Sequence, residues 1–84
     1  MERQQAVSVV KEIFECCRFI EGKNIKLMPP NADDVLSKGC QIHIDAKDDD
    51  ILMDCLEKVA IGNELAMVKE GQLVILYKPL VKLG

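Results

Sequence analysis

The chain of 84 residues contains no tryptophan, one tyrosine and two phenylalanines. A core without aromatic bulk has to be assembled from valine, isoleucine, leucine, methionine and cysteine. Surfaces that read nucleic acid need stacking rings and basic stripes. With a net charge of −3 and one tyrosine, nucleic-acid binding is not expected. The local exception would be a basic strip of Lys23, Lys26, Lys78 and Lys82, formed if their two strands are neighbours. No apolar run approaches the roughly 18 residues of a membrane helix, so no membrane contact is expected. The first residues carry Glu2, Arg3, Gln4 and Gln5 instead of a basic stretch leading into an unbroken apolar one. No export signal is read there, and the cytoplasm is the expected compartment. There is also no Cys-x-x-Cys, no Walker-type phosphate loop and no Gly-x-Gly-x-x-Gly, and His43 is the one histidine.

What is present describes a small globular domain spanning residues 1–84. Apolar residues make up 49% and charged residues 30%, with both signs mixed, which excludes a disordered chain. A chain of this length buries only about 60–65% of the surface its unfolded form exposes. Domains so small often gain stability from a covalent staple, a metal or a partner subunit. The four cysteines are Cys16, Cys17, Cys40 and Cys55. In a reducing cytosol they are expected as four buried thiols, each packing as a small hydrophobe. A zinc site of Cys16, Cys40, Cys55 and His43 is disfavoured, because Cys40 and His43 point to opposite faces of one strand.

Apolar spacing predicts an amphipathic helix over residues 3–21, with Ala6, Val10, Ile13, Cys17 and Ile20 inward and Gly22 as its stop. A short strand over 24–28 should end at Pro29 and Pro30, which cannot donate to a ladder. Residues 31–39 suit one or two helical turns capped by Asn31, with Asp33 and Asp34 at the positive end and Gly39 closing them. Residues 40–46 alternate strictly: Cys40, Ile42, Ile44 and Ala46 on one face, Gln41, His43 and Asp45 on the other. A second helix should open at Asp48 or Asp49 and bury Leu52, Cys55, Leu56, Val59 and Ala60. Residues 65–69 and 72–78 form a hairpin around Glu70 and Gly71. The apolar tail from Leu80 to Gly84 is expected to pack in part.

The resulting order, α-β-β-α-β-β, predicts an α+β fold. It is a two-layer sandwich with an approximately four-stranded mixed sheet and two main helices packed on one face. The strand at 40–46, the helix after it and the strand at 64–69 would form a right-handed βαβ crossover.

Charge is distributed unevenly. Residues 31–63 hold eight acids against three lysines, and Asp45, Asp48, Asp49, Asp50 and Asp54 lie within ten residues. Aspartates at a helix start satisfy free N–H groups and oppose the helix dipole. The same oxygens from Asp45, Asp48, Asp49 and Asp50 are a candidate set for Ca2+ or Mg2+, although the EF-hand spacing is absent. No other cofactor is expected. His43 and Asp45, two apart on a strand, share a face, as a base and its orienting carboxylate would. No nucleophile accompanies them.

Leu73, Val74, Ile75, Leu76 and Tyr77 are apolar on both faces of their strand. A strand with one wet face should alternate, so the second face, carrying Leu73, Ile75 and Tyr77, is expected to be covered by a helix, the tail or another subunit. As an edge strand it would also invite pairing with another chain. These residues favour a small cytosolic, non-catalytic interaction or regulatory module, homodimeric, whose partner is itself or another protein. Two other classes stay open: a divalent-cation binder using the aspartates, and a small enzyme or enzyme subunit using His43 with Asp45.

Overall fold

The computed structural model describes residues 1–17, 20–30 and 37–79. Of the helical turns expected over residues 31–39, Asn31, Asp33 and Asp34 lie outside the described residues, but Gly39 does not close a helix: the strand expected from Cys40 already begins at Ser37. The packing of the tail from Leu80 also lies outside the described residues. So do Arg18 and Phe19.

Helix α1 runs Arg3–Cys16 and buries Ala6, Val9 and Ile13, the stripe of an amphipathic helix. It ends earlier than the periodicity implies. Cys17 leaves helical geometry at φ −107° and ψ 83°, its N–H still bonded to the Ile13 carbonyl, and Gly22–Asn24 forms a separate 3-10 turn. The reason is lateral. Cys17 is tied by a disulfide to Cys55, and Ile20 is buried beyond it, so the chain turns into the core at Cys17 and does not continue as helix to Gly22.

The strands are β1 (Ile25–Met28), β2 (Ser37–Asp45), β3 (Ala66–Glu70) and β4 (Leu73–Pro79), with helix α2 (Asp50–Gly62) between β2 and β3. The architecture is α+β in the order α-β-β-α-β-β, with a four-stranded sheet. The sheet order is β1-β2-β4-β3 and every neighbouring pair is antiparallel, so the sheet is antiparallel and not mixed. Strands β2 and β3 run parallel but do not touch; β4 lies between them. The expected direct βαβ crossover is therefore split. A two-residue loop forces this arrangement. Glu70 pairs with Leu73, leaving Gly71 and Gln72 as the turn, and Gly71 takes φ +62° as a primed hairpin turn requires.

Helix α2 begins as its aspartates suggest. Asp49 is the N-cap, and one carboxylate oxygen accepts from the Ile51 and Leu52 N–H groups at 3.0 and 3.1 Å. A cap of this kind contributes about 1 kcal/mol. Both helices lie on the same side of the sheet, α1 against β1 and β2, α2 against β3. Between the layers, Ile13, Ile42, Ile44, Leu56, Val74 and Leu76 are almost completely buried. Among the described residues, no helix is long and apolar enough to cross a membrane.

Candidate interaction surface

The pairing register determines which side chains share the face of the sheet that no helix of the described residues covers. Val74 and Leu76 point into the core, so Leu73, Ile75 and Tyr77 stand on the opposite face. Their paired residues on β2 are Asp45, His43 and Gln41, and on β3 Glu70, Val68 and Ala66. On β1, Met28 and Lys26 extend the Gln41 and His43 rows. The open face thus carries two cross-strand rows, Met28–Gln41–Tyr77–Ala66 and Lys26–His43–Ile75–Val68, and a shorter third, Asp45–Leu73–Glu70. Leu73, Ile75 and Tyr77 are half-buried by their neighbours, Met28 and Val68 exposed.

This placement corrects one expectation. β4 is an interior strand, bonded on both sides, and the sheet edges are β1 and β3. A strand that is apolar on both faces occupies the centre of the sheet, where the cross-strand burial is greatest. Its open-face residues are available for face-to-face contact, not for edge pairing. Sequence reasoning placed Leu73, Ile75 and Tyr77 on this face but missed Met28, Ala66 and Val68. The alternation of β3 is too short to assign its faces without its partner.

The polar half of the face is organised by β2. His43 Nε2 lies 2.9 Å from Gln41 Oε1. His43 is thus bonded to Gln41, with Lys26 and Ile75 as its cross-strand partners. Asp45 Oδ1 is buried without a hydrogen-bond partner among the described residues. Two of the cavities among the described residues lie elsewhere. One of about 720 Å3 lies at the start of α1, lined in part by Met1, Leu27, Pro29 and Cys40. The other, of about 320 Å3, lies between α1 and β1. His43 and Asp45 line neither.

The four aspartates are separated by the strand-to-helix connection. Asp45 sits on the open sheet face. Lys47 and Asp48 both take positive φ, 48° and 56°, in a turn closed by the Asp49 N–H to Ala46 carbonyl bond at 3.0 Å. Asp48 pairs with Lys69 at 3.5 Å, Asp49 caps α2, and Asp50 stands exposed in its first turn. Asp54 pairs with Lys58 at 3.4 Å. Among the described residues, no three His, Cys, Asp or Glu side chains come together as a ligand set.

Compared with known proteins, the chain matches no family model, no curated protein and no solved structure.

The cysteines depart from expectation. Cys17 and Cys55 form a disulfide with Cα atoms 6.1 Å apart, while Cys16 is an exposed thiol and Cys40 a buried one. Four buried thiols are therefore not what the fold contains, because the end of α1 and the middle of α2 bring two sulfurs together over the sheet. Disulfides persist where the surroundings oxidise, so the expectation of four reduced cysteines, which was drawn from a reducing cytosol, does not hold. The strands expected to bring the basic strip together are not neighbours: β2 separates β1, which carries Lys26, from β4, which carries Lys78, and Lys82 lies outside the described residues.

Proposed function

We propose that the protein is a small non-catalytic interaction module that self-associates through the open face of its sheet. One observation carries the reading. The interior strand β4 presents Leu73, Ile75 and Tyr77 on a face that neither helix covers, continued across β3 by Val68 and Ala66. Four strands about 4.8 Å apart, with about six residues at 3.3 Å each, make a face of roughly 19 by 20 Å. Stacking two such faces, with their side-chain relief, removes about 1,000–1,200 Å2 of surface, enough for a specific interface.

A second copy suits the charges. Lys26 stands at the β1 edge of the face and Glu70 at the β3 edge. A two-fold axis running along the strands lays β1 of one copy over β3 of the other and brings Lys26 towards Glu70 of the second copy at both ends. The self-complementary patch is what a two-fold interface requires, and aligned packing within about 30° is usual for stacked sheets. The position of His43, bonded to Gln41 on the open sheet face between Lys26 and Ile75, supports binding over catalysis.

Replacing Ile75 by lysine tests this. The substitution puts an unpaired charge at the centre of the stacked faces, which costs the association at least about 3 kcal/mol. In sedimentation equilibrium the Ile75→Lys variant should dissociate at a concentration about 100-fold higher than the parent chain, with an unchanged circular dichroism spectrum. A folded variant with the parent's association constant would remove the open face from the interface.

A further inference from the structure

We propose that His43 makes the self-association depend on pH: the open faces close while its imidazole is neutral and part when it takes up a proton. This rests on the self-association reading and names the regulation of that same face. The observation behind it is where the one histidine of the chain stands. His43 lies half-buried within the Lys26–His43–Ile75–Val68 row, between the charged edge at β1 and the apolar strands β4 and β3. As a neutral ring it continues the patch of Ile75 and Val68 across β2. As a cation it carries the charge of Lys26 towards the centre of the sheet. One proton therefore sets the width of the patch that a second copy can cover.

The proton has a defined place. Nε2 lies 2.9 Å from Gln41 Oε1, which only accepts, so Nε2 donates and Nδ1 is the nitrogen left to gain a proton. The bond to Gln41 holds in both states. The ring is thus held alike in the single chain, and the cost of the charge falls on the contact between copies.

The groups around the ring favour its neutral form once the face is covered. Lys26 is its direct partner on β1, with Cβ atoms about 5 Å apart. Asp45 is two residues along β2, about 6.6 Å away, and its Oδ1 is buried. On β4 the ring pairs with Ile75, flanked by Leu73 and Tyr77. Glu70 stands on β3, two strands away, and both helices lie on the other side of the sheet. A two-fold axis along the strands lays β2 of one copy over β4 of the other, so the ring meets Ile75 of the second copy and no acid. Covering an unpaired cation in this way is costly, whereas covering a hydrogen-bonded neutral ring is not.

Histidine is the side chain that ordinarily changes charge between pH 5 and 8. Each dimer covers two copies of His43. Two separate chains therefore hold two more protons than the dimer at acid pH, and association weakens as pH falls. For two sites of ordinary histidine affinity, the association constant falls about 100-fold between pH 7.5 and 5.5. Acidification also brings the net charge of −3 nearer zero, which by itself favours association, so the sign of the effect points to His43.

The test is sedimentation equilibrium of the full chain and of His43→Gln at pH 7.5 and 5.5, at constant ionic strength. The parent should associate about 100-fold more weakly at pH 5.5. His43→Gln, which cannot take up the proton, should associate equally at both. The N-terminal amine, bonded to the Cys40 carbonyl on the core side of the sheet, is kept in the variant and serves as an internal control. In the parent, the His43 ring resonance followed by NMR should titrate at lower pH in concentrated than in dilute samples. Equal association of the parent at both pH values, the same pH dependence in His43→Gln, or a ring titration independent of concentration would overturn the proposal and leave the self-association reading in place. No association of either protein at pH 7.5 would overturn that reading and this proposal with it.

Discussion

Reduction of the Cys17–Cys55 disulfide is expected to lower the stability of the fold by about 4 kcal/mol. The two cysteines are 38 residues apart, and closing a loop of that length removes about this much entropy from the unfolded chain. The effect is large for this molecule because its other resources are small. The core contains no tryptophan, and its almost completely buried side chains are aliphatic. Without the bond, the short α1 is held to α2 by packing and by the hydrogen bond that Asn63, the C-cap of α2, donates to Glu12 at 3.2 Å. A domain of this size loses about 4–8 °C of Tm per kcal/mol, so a fall of roughly 20 °C is expected on adding dithiothreitol. Cys55→Ala, at a half-buried position, should reproduce most of that fall and then be insensitive to reductant. Thiol titration of the unfolded, non-reduced chain should find two thiols, Cys16 and Cys40, and four after reduction. Four thiols before reduction, or coincident melting curves with and without reductant, would refute the linkage.

The second large effect is expected at Gly39. This residue has φ +76° inside β2, at the irregularity between the Ser37 and Gln41 pairings. A methyl group there would press into the backbone of Met1, against its carbonyl oxygen and 3.0 Å from its carbonyl carbon. The Met1 carbonyl accepts the Cys40 N–H at 2.8 Å, and both residues are buried. Gly39→Ala therefore combines a left-handed alanine, costing about 1–2 kcal/mol, with displacement of a buried main-chain bond, costing about 1–3 kcal/mol. A total near 3 kcal/mol should appear as a lower urea midpoint at unchanged m-value. Gly71→Ala is the control. It shares the positive φ, but nothing lies within 4 Å of its added carbon, so only the conformational cost should be seen. Equal losses for the two variants would show that the contact with Met1 is not what makes Gly39 necessary.

Neither effect was visible in the sequence, and the reason is the same for both. Each depends on residues about 38 positions apart, and periodicity reports which face a residue occupies but not what lies across from it. Where local chemistry decides, the reading was close. The Asp49 cap, the buried positions Leu52, Leu56, Val59 and Ala60, and the alternation of Cys40 to Ala46 follow from propensity and spacing. That Leu73, Ile75 and Tyr77 share a face follows from their alternation with Val74 and Leu76, although that face was expected to be covered and neither described helix covers it. The error was in the strand's neighbours. An unbroken apolar strand was taken as an edge, although a two-residue turn at Gly71 obliges β4 to lie beside β3, and its two apolar faces suit the sheet interior. The acidic segment misled in another way. In sequence Asp45, Asp48, Asp49 and Asp50 look convergent, but the turn at Lys47 and Asp48 sends their carboxylates to a sheet face, an ion pair, a cap and solvent.

The most direct test of self-association is an isotope-filtered NOE measurement on an equimolar mixture of 13C-labelled and unlabelled chains. The account predicts contacts between copies that connect Leu73, Ile75, Val68 and the Tyr77 ring, with none from α2. A mixture that gives no contacts between copies at millimolar concentration, or gives them only from the helices, would contradict it.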